Sequence, residues 1–382
     1  MKLPRGFQAA GVAAGIKLSG APDLALIYAP MPLAWALTTT RNLVRAPFID
    51  RNRERFASGQ PVRAVAVNAG NANCATGEQG ALDNEAFAAE AARAVGVERV
   101  HEVLTASTGV IGQPLPMERI RAALPRLAQN LGEEADAAAT AIMTTDTRPK
   151  LAAVTLAGGA RVVGIAKGSG MIHPDMATML AFVMTDAAIP QAELRSLWPG
   201  VVSESFNQVT VDGDTSPNDM AALLCSAQVD ADQSDFVSAL RQVCGDLARD
   251  IARDGEGATK LITVVVTGAR NADEAKLAAR AIARSPLAKA AAYGNDPNWG
   301  RILVALGYSG AGFEPARVSI ALQGSLVYSG APRPFDAGAL SRRMNSPDLL
   351  IEVDLAAGGA RGSAWGCDLT ADYVKINADY HT

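Results

Sequence analysis

Histidine is scarce in this chain: only His101, His173 and His381 occur among 382 residues, far apart from one another. That spacing offers no histidine-rich metal motif and few imidazoles for acid–base work, so no metal is expected. The four cysteines, Cys74, Cys225, Cys244 and Cys367, include no Cys-x-x-Cys pair. A zinc ribbon, a thioredoxin-type redox centre and a disulfide scaffold are thereby excluded. Aromatic residues make up only 5%, so the core must rest on close backbone approach more than on large side chains. No apolar run reaches the roughly 18 residues of a membrane span. The start, Met1-Lys2-Leu3-Pro4-Arg5-Gly6, leads into a short Ala/Gly stretch ended by Lys17. It lacks the longer leucine-rich segment of a signal peptide, so a cytoplasmic protein is expected. Neither charge sign dominates: Lys+Arg 35 against Asp+Glu 39 gives −4. That balance supplies no general pull toward nucleic acid or anionic membrane.

What is present is enough apolar material, 49% against 19% charged, for two or three folded domains of roughly 150 residues each. Strand and helix patterns alternate. Leu24–Ala29 and Leu33–Thr40 read as two strands separated by Pro-Met-Pro, and Val62–Asn68 alternates with period two. Glu78–Val95 reads as a helix stopped by Gly96, Glu102–Ser107 as a strand, and Pro116 opens a helix toward Asn130. Leu151–Leu156 and Arg161–Ile165 flank Gly158-Gly159 as a hairpin, and Thr178–Met184 is a further strand. Gln191–Phe206 is helical with an interruption expected at Pro199, and Val209–Asp212 is a short strand. Asn218–Ala227 and Phe236–Arg253 read as helices, Lys260–Thr267 as a strand and Asp273–Arg284 as a helix. Arg317–Leu322 and Leu349–Leu355 complete the strands. The sum is a mixed α/β protein without internal repeats.

Several familiar sites are missing. There is no P-loop, no Gly-x-Gly-x-x-Gly after a strand and no Gly-x-Ser-x-Gly elbow. Asp212, Asp214, Asn218 and Asp219 could ligate a hard cation but lack the spacing of a calcium loop. A strand end leading to a helix N-cap at Asp214/Thr215 is the better reading. Arg41, Arg45, Arg51, Arg53 and Arg55 could hold the phosphates of an acyl carrier such as coenzyme A, although a solvated face fits them better.

The informative residues are glycine-, asparagine- and threonine-rich joints at strand ends, where backbone N–H groups can approach a ligand. These are NAGNANCATG (68–77), STGVIG (107–112), MTTDTRPK (143–150), AKGSGMI (166–172) and MATMLAF (176–182). Further along come FNQVTVDGDTS (206–216), DGEGATKL (254–261), DPNWGRI (296–302) and DYVKINADYHT (372–382). In this order, and along the whole chain, they closely resemble the ornithine acetyltransferase (glutamate N-acetyltransferase) family of arginine biosynthesis.

That resemblance implies a layered α-β-β-α core with a smaller C-terminal α/β domain, divided here as 1–230 and 231–382. It implies self-cleavage between Ala177 and Thr178 into an α chain of 1–177 and a β chain of 178–382, assembled as an α2β2 heterotetramer. Thr178 would be the nucleophile, with its freed amine as base, since a free α-amine titrates at about 7.7–8.0. Thr108 and Gly109 would form the oxyanion hole, and Thr144, Lys167, Thr178, Glu256, Asn377 and Thr382 would bind substrate. Lys167 suits a carboxylate and Glu256 a cationic amine. The implied reaction carries acetyl from N2-acetyl-L-ornithine to L-glutamate by a ping-pong route, without a resident cofactor; some members also take acetyl-CoA as donor. His173, Pro217 and Ala290 depart from the family pattern. Two alternatives stand beside this reading: a self-cleaving aminopeptidase or amidohydrolase of the related fold, and a non-catalytic ligand-binding protein that stays one chain. The former usually begins its new chain with serine, so Thr178 argues against it.

Overall fold

The structure, a computed structural model, describes residues 1–173 and 179–379. In chain order the elements begin with β1 (Gln8–Val12), β2 (Leu24–Thr39), α1 (Pro47–Ser58), β3 (Val62–Asn71), α2 (Gly77–Ala94), β4 (Val103–Val110), α3 (Met117–Gln129) and α4 (Asp136–Ala141). The middle of the chain forms β5 (Lys150–Thr155), β6 (Arg161–Lys167), β7 (Leu180–Ala187), α5 (Gln191–Glu204), β8 (Val209–Thr210), β9 (Met220–Val229) and α6 (Gln233–Arg253). The remainder forms β10 (Leu261–Ala269), α7 (Ala272–Arg284), α8 (Pro286–Tyr293), α9 (Trp299–Gly307), β11 (Ser319–Leu322), β12 (Ser325–Ser329), α10 (Ala337–Met344), β13 (Asp348–Asp354), β14 (Ala360–Cys367) and α11 (Ala371–Asp379).

The sequence separates two strands at Pro30-Met31-Pro32; the chain makes them one, β2. Its first half pairs antiparallel with β1 and β3, and its second half pairs antiparallel with β9. The register shifts between Tyr28 and Leu33, and Pro30, Met31 and Pro32 are exposed there. Proline is tolerated because the ladder has already stopped at that point. β2 thereby links two halves of one strand order, β4-β3-β2-β9-β7-β6-β5. The halves face each other through Ile27, Val65, Val67 and Leu104 on one side and Ile165, Phe182, Met184 and Leu224 on the other. α2 and α3 cover one outer face, and α5 and α6 cover the other. This is the expected α-β-β-α sandwich.

Two local expectations fail. Asn218–Ala227 is not a helix; most of it lies in β9, between β2 and the parallel strand β7, with Met220 to Cys225 buried. A strand buried on both faces shows a continuous apolar run instead of alternation, and alanine-rich runs then imitate helix. With no helix there, Asp214/Thr215 cap nothing. Pro199 does not interrupt α5, which continues through it while Leu194, Trp198, Val201 and Val202 pack on the sheet. That burial outweighs the one lost backbone bond.

A second sheet, ordered β12-β11-β13-β10-β14-β8, forms the smaller α/β part. α7 lies on it through Ala275, Ala278, Ala279, Ile282 and Ala283. Gly362 permits the approach: a Cβ there would stand 2.8 Å from the Ala275 carbonyl carbon. Around residue 230 the two parts interlock. α6, beyond that position, packs on the first sheet, and β8, before it, extends the second. Among the described residues no helix is long and apolar enough to cross a membrane.

Phe182 sits fully buried between the facing halves. Phe182→Ala should lower the unfolding free energy by about 3–5 kcal/mol, read as a lower urea midpoint at unchanged m-value.

Candidate active site

Thr108 and Gly109 stand at the end of β4, Thr144 in the loop between α4 and β5, and Lys167 at the last position of β6. Glu256 follows α6, and Asn377 lies on α11. Positions 108 to 377 are brought to the wall of one cleft of about 120 Å³, to which Thr108, Gly109, Thr144, Lys167, Glu256 and Asn377 all contribute. A smaller recess sharing Thr108 and Lys167 is lined by Met179, Leu180 and Asp219. Lys167 is also the ladder partner of Leu180. Ala177, Thr178 and Thr382 lie outside the described residues.

Each wall is fixed from behind. Gly109 has φ +132°, and a Cβ on it would stand 2.3 Å from the Gly70 carbonyl carbon, so only glycine lets the ends of β3 and β4 meet. Buried amides hold those ends. Asn68 Nδ2 donates to the Asn71 carbonyl at 2.8 Å, and Ser107 Oγ donates to Asn68 Oδ1 at 2.7 Å. Asn218 Nδ2 donates to the carbonyls of Ala72 at 2.6 Å and Ser107 at 2.8 Å. Asn218, expected at a helix start and weighed as a cation ligand, instead ties β9 to the strand-end loops through its buried carboxamide.

Lys167, only 7% exposed, donates from Nζ to Thr108 Oγ1 at 3.3 Å. Burial pulls its pKa below the usual lysine range, while the Asp146 carboxylate opposes that shift. Asp146 is buried too. Burial would raise its pKa, but Lys167, Lys150 and the Gly168 N–H outweigh it and hold the pKa down at about 2. Glu256, 9% exposed, accepts from Asn377 Nδ2 at 2.8 Å, and its N–H donates to the Ser169 carbonyl at 3.0 Å. A Cβ on Gly170 would fall 2.3 Å from the Glu256 carboxyl carbon. The cleft thus gathers a hydroxyl, strand-end backbone, a lysine and a carboxylate. Those groups suit a zwitterionic ligand undergoing acyl chemistry.

Other candidates take structural places. Asp212 accepts from the N–H groups of Met171 at 2.6 Å, Ile172 at 2.9 Å and Asp214 at 3.2 Å, bracing the loop after β6. No three His, Cys, Asp or Glu side chains among the described residues form a set able to hold a metal. Arg51 is 4% exposed and donates to the Val103 carbonyl at 2.7 Å, and Arg53 donates to Thr39 Oγ1 at 2.8 Å. These two brace α1 against the sheet, so they form neither a solvated face nor a wall of the cleft. Of the departures from the family pattern, Pro217 lines the cleft. His173 faces away from it: Arg280 lies 3.0 Å from Nε2 and Thr210 Oγ1 lies 3.0 Å from Nδ1. Burial and the charges of Arg280 and Arg284 push its pKa down to about 3, so the ring is neutral at physiological pH.

A profile of the ArgJ family matches residues 8–382. The arginine biosynthesis bifunctional protein ArgJ of Thermus thermophilus is 56% identical over 383 residues, covering 100% of both chains. Its namesake from Deinococcus radiodurans is 54% identical over 380 residues, 99% of this chain and 97% of that one. A crystal structure of arginine biosynthesis bifunctional protein ArgJ from Bacillus halodurans aligns with TM-score 0.51 and 43% identity. That alignment covers 53% of this chain and 100% of the crystal chain. The chain belongs to the ArgJ family and is an acetyltransferase of arginine biosynthesis.

Proposed function

We propose that this enzyme moves the acetyl group of N2-acetyl-L-ornithine to L-glutamate through an acetyl ester on Thr178. The observation that carries the reading is the convergence of Thr108, Gly109, Thr144, Lys167, Glu256 and Asn377 on one cleft. Its adjoining recess is lined by Met179, the neighbour of Thr178 in sequence.

In this mechanism the Ala177–Thr178 bond is first broken by the chain itself, leaving a free α-amine on Thr178. That amine takes the proton from Oγ as Oγ attacks the acetyl carbonyl carbon. Thr108 Oγ1 and the Gly109 N–H receive the charge that develops on the carbonyl oxygen. The carbon–nitrogen bond then breaks, ornithine leaves with the transferred proton on its amine, and an acetyl-threonine ester remains. The glutamate amine attacks the ester, N-acetyl-L-glutamate departs, and Thr178 Oγ regains its proton. Lys167 pairs with the α-carboxylate of either amino acid, and Glu256, steadied by Asn377, with the cationic amine of ornithine; Thr144 and Thr382 complete the binding site.

The share of the chain matched by the Bacillus halodurans crystal chain, 53%, supports division at this point. Residues 178–382 make up about 54% of the length. We further infer a cytoplasmic α2β2 assembly with no resident cofactor. Acetyl-CoA would serve as a second donor, tested by supplying it with glutamate in the absence of acetylornithine.

Purified enzyme should run on a denaturing gel as two bands of roughly 18 and roughly 21 kDa, with N-terminal sequencing placing Thr178 first in the larger. Thr178→Ala should remain a single band and transfer no acetyl group. A single-chain, fully active enzyme would overturn the mechanism. Thr108→Ala should lower kcat by about 10²–10³-fold with little change in KM, because an oxyanion donor acts chiefly in the transition state. Steady-state kinetics with acetylornithine and glutamate provide the check.

A further inference from the structure

Behind the cleft lies a charged group that lines none of it. The Lys150 side chain has no exposed surface and stands between two carboxylates, 2.6 Å from Asp146 Oδ1 and 2.6 Å from Asp254 Oδ2. Asp146 collects two further donors from the site loops: the Gly168 N–H on Oδ1 at 2.7 Å and the Thr144 N–H on Oδ2 at 2.9 Å. Asp254 accepts from the Thr147 N–H at 3.1 Å, and its backbone carbonyl accepts from Ser169 Oγ at 2.6 Å. Through these bonds one buried ammonium ties together the loop holding Thr144, the end of β6 holding Lys167 and the turn leading to Glu256.

We propose that Asp146 is a positioning residue for acetyl transfer: it fixes the loops that carry Thr144 and Lys167 and keeps Lys167 an ammonium for the substrate carboxylate. This rests on the function proposed above.

The electrostatic half follows from what surrounds Lys167. Asp146 faces it from the loop after α4, Asp219 from the segment before β9 and Glu256 from the turn after α6. Against these stand Lys150 on β5 and Lys17 in the loop before β2. Burial disfavours the ammonium and two like charges oppose it; the carboxylates favour it without cancelling the effect of burial. Asp146 is the largest single favourable influence on Lys167. Its charge favours the ammonium, so removing it lowers the pKa of Lys167, and Lys167 loses its proton at a lower pH than before. Asp254 is not among the largest influences on Lys167, although it shares Lys150 equally by distance.

That asymmetry supplies the test. Asp146→Asn keeps the shape and one acceptor oxygen, and it leaves Lys150 paired with Asp254. In assays of acetylornithine with glutamate, KM for glutamate should rise at least about tenfold, with a smaller change in kcat. The basic limb of kcat/KM should move to lower pH. Asp254→Asn, which loosens the same network, should lower the melting temperature and leave that limb in place. If the limb stays put in Asp146→Asn, or moves equally in both variants, the role is merely structural and the proposal falls. A second measurement on the unsubstituted enzyme covers a variant that fails to fold. With 13C-labelled lysine, the Lys167 resonance, assigned by its loss in Lys167→Met, should titrate with the basic limb. A titration elsewhere overturns the proposal. Absence of any transfer by the unsubstituted enzyme would instead refute the functional reading, which separates the two failures.

Discussion

The cleft exists because the chain approaches itself at separations that leave no room for a Cβ at Gly109, against backbone, or at Gly170, against a side chain. A Cβ on Gly109 would overlap Gly70, one on Gly170 would overlap the Glu256 carboxylate, and one on Gly168 would stand 2.9 Å from Ile172 Cδ1. Thr144 and Glu256 follow helices and Asn377 lies on α11, whereas Thr108, Gly109 and Lys167 are carried by strand ends. A hydroxyl and an N–H held this way need no rearrangement when charge develops on a bound carbonyl, which is where fixed dipoles do most for an acyl transfer. The same economy of side chain runs through the rest of the fold. The alanine row of α7 rests on Gly362, which explains how a chain with 5% aromatic residues still builds close-packed layers.

Asp146, Lys150, Lys167, Asp254 and Glu256 are all buried, and that makes the sign and pairing of each charge near the cleft decisive. A surface pair such as Arg93–Glu90, 2.6 Å apart with Arg93 largely exposed, is worth about 0–1 kcal/mol. Lys150 between Asp146 and Asp254 belongs to another regime, where removing the lysine would strand buried carboxylates at a cost of about 3–5 kcal/mol. Asp146 is met by two backbone N–H groups, and Asp254 by the N–H and hydroxyl of Thr147, as well as by the lysine, as a dry ion pair requires. The network stabilises the joint between loops, and the same field reaches Lys167. Stability and site electrostatics here are one arrangement.

Much of this was legible in the sequence, for reasons that can be named. Amphipathic stripes were readable: the helix expected from Phe236 is α6, whose buried face runs from Phe236 to Ile251, although its cap at Asp232 and its first turn lie before the expected start. The strand-end joints could be found because glycine and asparagine cluster where the backbone must approach a ligand, and Thr108, Lys167 and Glu256 do share one cleft. β9 was misread because burial on both faces erases the alternation that marks a strand. The unity of β2 was hidden because prolines signal a break, whereas here they occupy an unpaired bend. The Lys150 network left no local trace. Asp146 and Lys150 lie four residues apart within a recognised motif, but their third partner, Asp254, is more than a hundred residues away. Only tertiary folding shows that the lysine is buried.

The scarcity of histidine in this chain also narrows the choice of base. Among the described residues no imidazole lines the cleft or its recess. His173 is held on the far side of the loop after β6, neutral and engaged by Arg280. Among the described residues the basic nitrogen lining the cleft is Lys167, whose pKa burial lowers while Asp146, Asp219 and Glu256 oppose that shift; the proposed mechanism commits it to the substrate carboxylate. A lysine committed to a substrate carboxylate cannot also deprotonate a hydroxyl in the same turnover. The proposed nucleophile must then find its base elsewhere, and an amine freed on the same residue meets that need without a further side chain. In the proposed mechanism chain scission is thus more than maturation: it creates the missing base in a cleft whose resident cation is already engaged.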